Sequence, residues 1–160
     1  MARRVHEGNT KVVFVETLAD ADGPTTAELN GGTEMSRYIT KDGLNTPQTQ
    51  NMVDSSTLAD IFDAQIAGSW GGALEITSFR DDSDDVVWDT FEHGTTGYFV
   101  VRRLIPWDDD WANGQAVEVY PVQSHQPIPS PSAANEEVRL SVMMGVTSEP
   151  SLKAVVGGGS

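Results

Sequence analysis

Between Gly71 and Leu104 the chain sets two apolar segments on either side of a punctuated helix, and this order restricts it to a sheet with a short helix packed alongside. Gly71-Gly72-Ala73-Leu74-Glu75-Ile76-Thr77-Ser78-Phe79 puts Leu74 and Ile76 on one face at the two-residue period of a strand. An acid-rich turn, Arg80 to Asp85, follows. Val87 and Phe91 then sit four apart with Trp88 beside them, so a helix over about residues 85–93 gives them a shared face. Ser83 or Asp84 is placed to cap its start, and carboxylates crowd the positive end of its dipole. His93 falls in the last turn and Gly94 is a natural stop. Tyr98 to Val101 is apolar on both faces and reads as a buried central strand. The unit holds a large share of the core and no convincing catalytic kit.

The rest of the chain adds strands. Lys11 to Glu16 is a β-branched apolar run, and Met35 to Ile39 is a weaker strand. Between them Thr25 or Thr26 can cap one helical turn. Residues 41–57 read as a long polar loop. Phe62, Ala64 and Ile66 alternate with Asp63 and Gln65, which predicts a hairpin from about residue 60 to residue 79 turning at Gly68 to Gly72. A helix over 58–67 is the rival reading. Ile105 to Gly114 is a turn, and Val117, Val119 and Tyr120 mark a strand. Pro121, Pro127, Pro129 and Pro131 keep the next segment extended. Val138, Leu140, Val142 and Met144 alternate in the cleanest strand of the chain, and Leu152 to Val156 offers one more. The predicted fold is mainly β, a sandwich or barrel-like sheet with one flanking helix, in a single domain over 1–160.

Composition narrows the function. Twenty-four acidic residues against 10 basic ones give a net charge of −14, which repels both phosphate and anionic lipid headgroups. Ordinary nucleic-acid binding and membrane association are therefore not expected, although an acidic wall past which DNA slides fits the same repulsion. No cysteine is present, so disulfides and thiolate metal sites are excluded. The first eight residues lack the apolar segment of a secretory signal, and no run approaches the roughly 20 apolar residues of a membrane span.

Each candidate for chemistry has a plainer structural reading. Asp81-Asp82-Ser83-Asp84-Asp85 supplies clustered oxygens for calcium but lacks the order of a calcium loop, and helix-start capping accounts for it. Trp107 and Trp111 around Asp108-Asp109-Asp110 match a sugar site, or a solvated turn anchored by two indoles. His6, His93 and His125 have no metal-ligand spacing, and His93 reads as a dipole partner at a helix end. Arg102 and Arg103 read as partners of acids on a neighbouring strand or subunit. No cofactor, metal or catalytic residue is assigned, and the chain reads as a non-enzyme whose surface is finished by copies of itself.

Three stretches carry a resemblance to a known family: Thr26 to Ser36 leading to Tyr38-Ile39-Thr40-Lys41-Asp42-Gly43; Trp88-Asp89-Thr90-Phe91 followed by His93 to Arg102; and Gly114 to Val122 with Pro131 to Glu137 before the last long strand. In order and spacing they resemble the major tail tube proteins of long-tailed (siphovirus-type) actinobacteriophages. The resemblance implies a virion protein of the tail, assembled in the host bacterial cytoplasm as stacked hexameric rings. It implies a tube built around a tape-measure protein, joined to tail terminator and distal tail proteins, through which genomic DNA passes without specific binding. By position, the resemblance makes residues 41–57 the ring-stacking loop, with Lys41, Asp42, Leu44, Pro47 and Met52 as its contact candidates, and residues 1–10 and 148–160 extended terminal arms.

A bore that passes DNA should present carboxylates and avoid Lys and Arg. Asp63, Glu75 and Glu118 fall on predicted strands opposite apolar neighbours and form the candidate lumen-facing set. Two alternatives stand beside this reading: a tail-terminator or head–tail connector ring, and a carbohydrate- or receptor-binding β module using Trp107 and Trp111.

Overall fold

Four consecutive buried residues, Val12 to Val15, demand a sheet covered on both faces. They lie in β1 (Thr10–Val15), where Val12 and Phe14 point into one core and Val13 and Val15 into another. The computed structural model describes residue 5, residues 7–130 and residues 134–157. Among these, β1 is followed by α1 (Thr26–Asn30), β2 (Thr33–Glu34), β3 (Ile39–Asn45), β4 (Gln48–Asp54), β5 (Gln65–Phe79) and α2 (Val86–Thr90). Then come β6 (Thr96–Arg103), β7 (Ala116–Ser124), β8 (Ile128–Ser130), β9 (Arg139–Val146) and β10 (Ser151–Val155). The strands form one antiparallel sheet in the order β2-β1-β6-β7-β9-β5-β3, with β10 added to β7, β4 to β5 and β8 to β9. It curls as a half-barrel, the mainly β architecture that the alternation predicts.

The first core fills the inside of the curl. Phe99 and Val101 of β6, Tyr120 and Val122 of β7, Leu74 and Ile76 of β5 and Val142 and Met144 of β9 converge there. Phe91, just after α2, closes it with its ring edge-on to Phe14, the centroids 4.9 Å apart. The second core lies on the opposite face of β1, β6 and β7. Leu29 of α1, Trp111, and Ala154 and Val156 at the chain's end cover it. It reaches no further than β7, so the same face of β9 and β5 has no second layer.

Several expectations need correction. The flanking helix is shorter than residues 85–93, ending at Thr90. Its N-cap is Asp85, whose side chain makes no cap bond because Arg80 Nε holds the carboxylate at 2.6 Å. The N–H groups of Ser83 and Asp84 donate instead to Asp81 Oδ1. His93 lies beyond the helix, and Gly94, at φ +91°, serves the turn into β6. Met35 to Tyr38 is a turn and not a strand, with the N–H groups of Tyr38 and Ile39 both donating to the Met35 carbonyl. The capping of α1 by Thr25 is as predicted: Glu28 N–H donates to its hydroxyl, and Thr25 N–H donates back to the Glu28 carboxylate.

The largest correction concerns residues 39–79. The expected loop 41–57 is mostly strand, because β3 and β4 run in succession along β5. Gly68 to Gly72 is not a turn but the middle of β5, kept extended by Gln48 to Gln50 of β4 on its flank. A Cβ on Gly68 would lie 3.0 Å from the Asn51 carbonyl oxygen of β4, so the missing side chain there eases the close approach of the two strands. The turn sits between Asp54 and Gln65, and neither the short hairpin nor the rival helix over 58–67 forms. At the far end, β10 folds back on β7 and buries Ala154 and Val156, so this part of the expected arm belongs to the subunit's own core. Residues 1–4, His6 and 158–160 of the two arms, and Pro131, lie outside the described residues.

Candidate functional site: the hairpin and the open face of the sheet

Past Ala73, β9 stops pairing and the β4–β5 hairpin continues as a two-stranded ribbon. Nothing in the described chain packs over it: Met52, Val53, Ile66 and Trp70 are all exposed. A lone two-stranded ribbon is marginal in water, and an apolar one marks a contact surface. At its tip Leu58 and Ile61 are fully exposed and Phe62 is 82% exposed.

Polar bonds hold this tip in shape from within. Ser55 N–H and the Ser55 and Ser56 hydroxyls donate to the Ala64 carbonyl, and Ala64 N–H donates to Ser56 Oγ at 2.7 Å. The N–H and hydroxyl of Thr57 donate to Asp60 Oδ2. These bonds, the backbone one first, hold the Asp60 carboxyl below the usual range. Asp54 is lowered in the same way by Ser56.

The second feature is the uncovered face of β5 and β9. Register puts Glu75 opposite Met143 and Thr77 opposite Ser141 on that face, and Ile128 of β8 opposite Ser141. Glu75, Ser141, Met143 and Ile128, with Pro129 and with His93 and His125 (ring centroids 5.8 Å apart), bound an open groove of about 600 Å³. Its lining is mostly apolar, since Ile128 and Met143 are each more than half exposed within it.

The three candidate lumen carboxylates do not come together. Asp63 precedes β5 in the hairpin turn and is exposed, not on a strand. Glu75 is on the open face of β5. Glu118 shares the face of Tyr120, which belongs to the first core, and is therefore on the opposite side of the sheet from Glu75. It is also engaged: Arg103 Nε and the Tyr120 hydroxyl donate to its two oxygens, each at 2.6 Å. Of the ring-stacking candidates, Lys41 and Asp42 are exposed on β3 and Leu44 packs against the first core. Pro47 joins β3 to β4, its carbonyl accepting from Ala73 N–H, and Met52 projects from the ribbon.

The other candidates have structural work. Asp81, Asp84 and Asp85 are bound to Ser83, Tyr38 and Arg80, and no group of three metal-ligating side chains occurs among the described residues. Trp111 is buried between Lys11 and Arg102, so the paired-indole sugar platform is absent. Arg103 pairs with an acid of the adjacent strand as predicted, whereas Arg102 is buried and donates to the carbonyls of Pro106, Asp109 and Asp110. Sequence reading missed Leu58 and the role of Ile61 and Phe62 at the hairpin tip. The available signal was an apolar triplet flanked by Ser, Thr and Asp turn residues.

Comparison with solved structures finds this fold in assemblies with sixfold symmetry. A chain of "Cryo-EM structure of the anti-feeding prophage (AFP) baseplate, 6-fold symmetrised" is similar at a TM-score of 0.59 and 7% identity, covering 94% of this chain and 95% of that one. A chain of "Tail of empty GTA particle computed with helical refinement, C6 symmetry" is similar at a TM-score of 0.50 and 14% identity, covering 96% of this chain and 100% of that one. No curated protein matches by sequence. The phage tail tube protein family matches residues 1–159. An uncovered apolar ribbon, a one-sided sheet and this match over nearly every residue lead to one conclusion: the chain belongs to the phage tail tube protein family and is a structural protein of the tail.

Proposed function

We propose that the protein polymerises with itself as stacked hexameric rings, forming a negatively charged conduit for the phage genome. The observation that carries this reading is the β4–β5 ribbon, an exposed apolar element that gains stability only when another surface covers it. Sixfold symmetry is taken from the similar solved assemblies. The ribbon, with Met52 on it and Pro47 at its base, bridges one ring to the next, and Lys41 and Asp42, farther back where β3 passes Thr77, are the other contact candidates. A tape-measure protein occupies the bore during assembly in the host cytoplasm, and terminator and distal tail proteins close the ends. The protein works by assembly and has no reaction to catalyse.

The net charge of −14 supports a bore that repels DNA and lets it slide. Glu75 and Glu118 lie on opposite faces, so only one of the two can face a common bore. Electron microscopy of the purified protein at high concentration tests the reading. Long hollow tubes with sixfold end views are expected. Isolated rings would favour the terminator or connector alternative, and a monomer that never polymerises, even with its tail companions, would end the proposal.

A further inference from the structure

We propose that the hairpin tip of one copy, carrying Leu58, Ile61 and Phe62, seats in the groove between β8 and the open face of β5 and β9 in a second copy. This rests on the reading of the chain as a self-assembling tube protein and names the contact that makes it polymerise.

The two surfaces match in chemistry. The tip presents three large apolar side chains to solvent, and the groove is an apolar concavity bounded by the exposed Ile128 and Met143. Asp60 and Asp63 accompany the tip; the imidazoles of His93 and His125 line the groove as N–H donors to carboxylates, whereas Glu75 in the same groove repels them and so orients the tip toward the histidines. The tip is pinned by its own hydrogen bonds, so docking has little conformational entropy to remove.

The tip cannot reach the groove of its own subunit. From Ala73 to Gln65 the ribbon leads away from the sheet over eight residues, a contour on the order of 26 Å at the usual rise of a strand. The groove lies at Glu75, back along the same strand. Each copy thus offers one tip and one groove at different places, a head-to-tail pair that generates rings or open filaments. In this arrangement Glu75 faces a neighbour's tip and not the bore.

The chain has no cysteine, so introduced ones are unique. The test mixes full-length F62C with full-length M143C under tube-forming conditions, adds a short bismaleimide, and reads cross-linked dimer on a denaturing gel. Mixtures of F62C with L104C, whose side chain is exposed elsewhere, are the control. At least tenfold more dimer with M143C than with L104C is expected. Equal yields, or no dimer while tubes form, overturn this contact and leave the tube reading standing. Protein that forms no tubes at all, and no dimer, sinks both. As a second measurement, F62D and M143D should each abolish tubes while keeping the wild-type circular dichroism spectrum; tubes from both variants would also overturn the contact.

Discussion

The guanidinium of Arg102 lies 4.9 Å from the centre of the Trp111 ring, and both residues are buried. Arg102 threads its charge into the turn after β6, where its two terminal nitrogens donate to three backbone carbonyls and to Gln115 Oε1. Burial lowers its pKa, and the fields of Asp109, Glu34 and Asp110 oppose that shift. Arg102→Leu removes four donated bonds, although each acceptor keeps a second donor (Asp109 N–H, Lys11 Nζ, Gln115 Nε2 and Ala112 N–H), and should cost about 2 kcal/mol in urea denaturation. Arg102→Lys, with three donors on one nitrogen, should recover only part of this.

The capping box of α1 ties stability to pH. Glu28 is held below the usual carboxyl range, first by Ala19 N–H and then by Thr25 N–H. A depressed carboxyl contributes fully above its unfolded value, near 4.3, and loses that contribution as pH falls through the folded value. Glu28→Gln should therefore flatten the acid side of the stability profile. Thr25→Ala should cost about 1 kcal/mol at neutral pH, read by thermal unfolding.

Tyr120 should titrate abnormally. Burial first, and then its bond to the Glu118 carboxylate, push its hydroxyl above the ordinary phenol value. A raised phenol pKa stabilises the fold below pH of about 10 and stops doing so as pH rises through the folded value. Absorbance at alkaline pH should show Tyr120 ionising late, and Glu118→Gln should bring it earlier. The Arg103–Glu118 pair is partly exposed, so a double-mutant cycle should give a coupling of about 0.5–1 kcal/mol.

Gly97 is pressed closely against β1. A Cβ there would meet Phe14 Cζ at 2.5 Å and the Val15 carbonyl at 2.9 Å. Gly97→Ala should lower stability by about 1–3 kcal/mol in denaturant titration, since neither a core ring nor strand backbone can yield freely.

Replacing residues 55–64 by Asn-Gly closes the ribbon with a tight turn and removes the apolar tip. The removed side chains are almost all exposed, so the melting temperature of the isolated subunit should stay within a few degrees. Tubes should disappear in electron micrographs. Persistent tubes would mean that another surface joins the rings.

What was legible in the sequence follows from where each element gets its stability. β1 and β6 are buried on both faces and β9 alternates cleanly, and each is written in its own residues. The Thr25 cap is equally local, with its partner Glu28 three residues on. The ribbon is different. Gln48 to Asp54 is polar apart from Met52 and Val53 and is entirely exposed, and Gly68, Gly71 and Gly72 read as breakers. Those residues are extended because a partner strand lies beside them, and a shift of register between Gln50 and Met52 absorbs the irregularity. The strand that carries Glu118 is legible from Val117, Val119 and Tyr120, but the face that Glu118 takes depends on which strands are neighbours, and composition carries no record of that.

The unequal cladding of the sheet has a mechanical consequence. β1, β6 and β7 are sandwiched between packed layers, whereas β5 and β9 are backed on one side alone. Close-packed layers resist deformation. In a subunit not yet joined to others, the single-layered half therefore yields first under strain, and the doubly backed half keeps its shape.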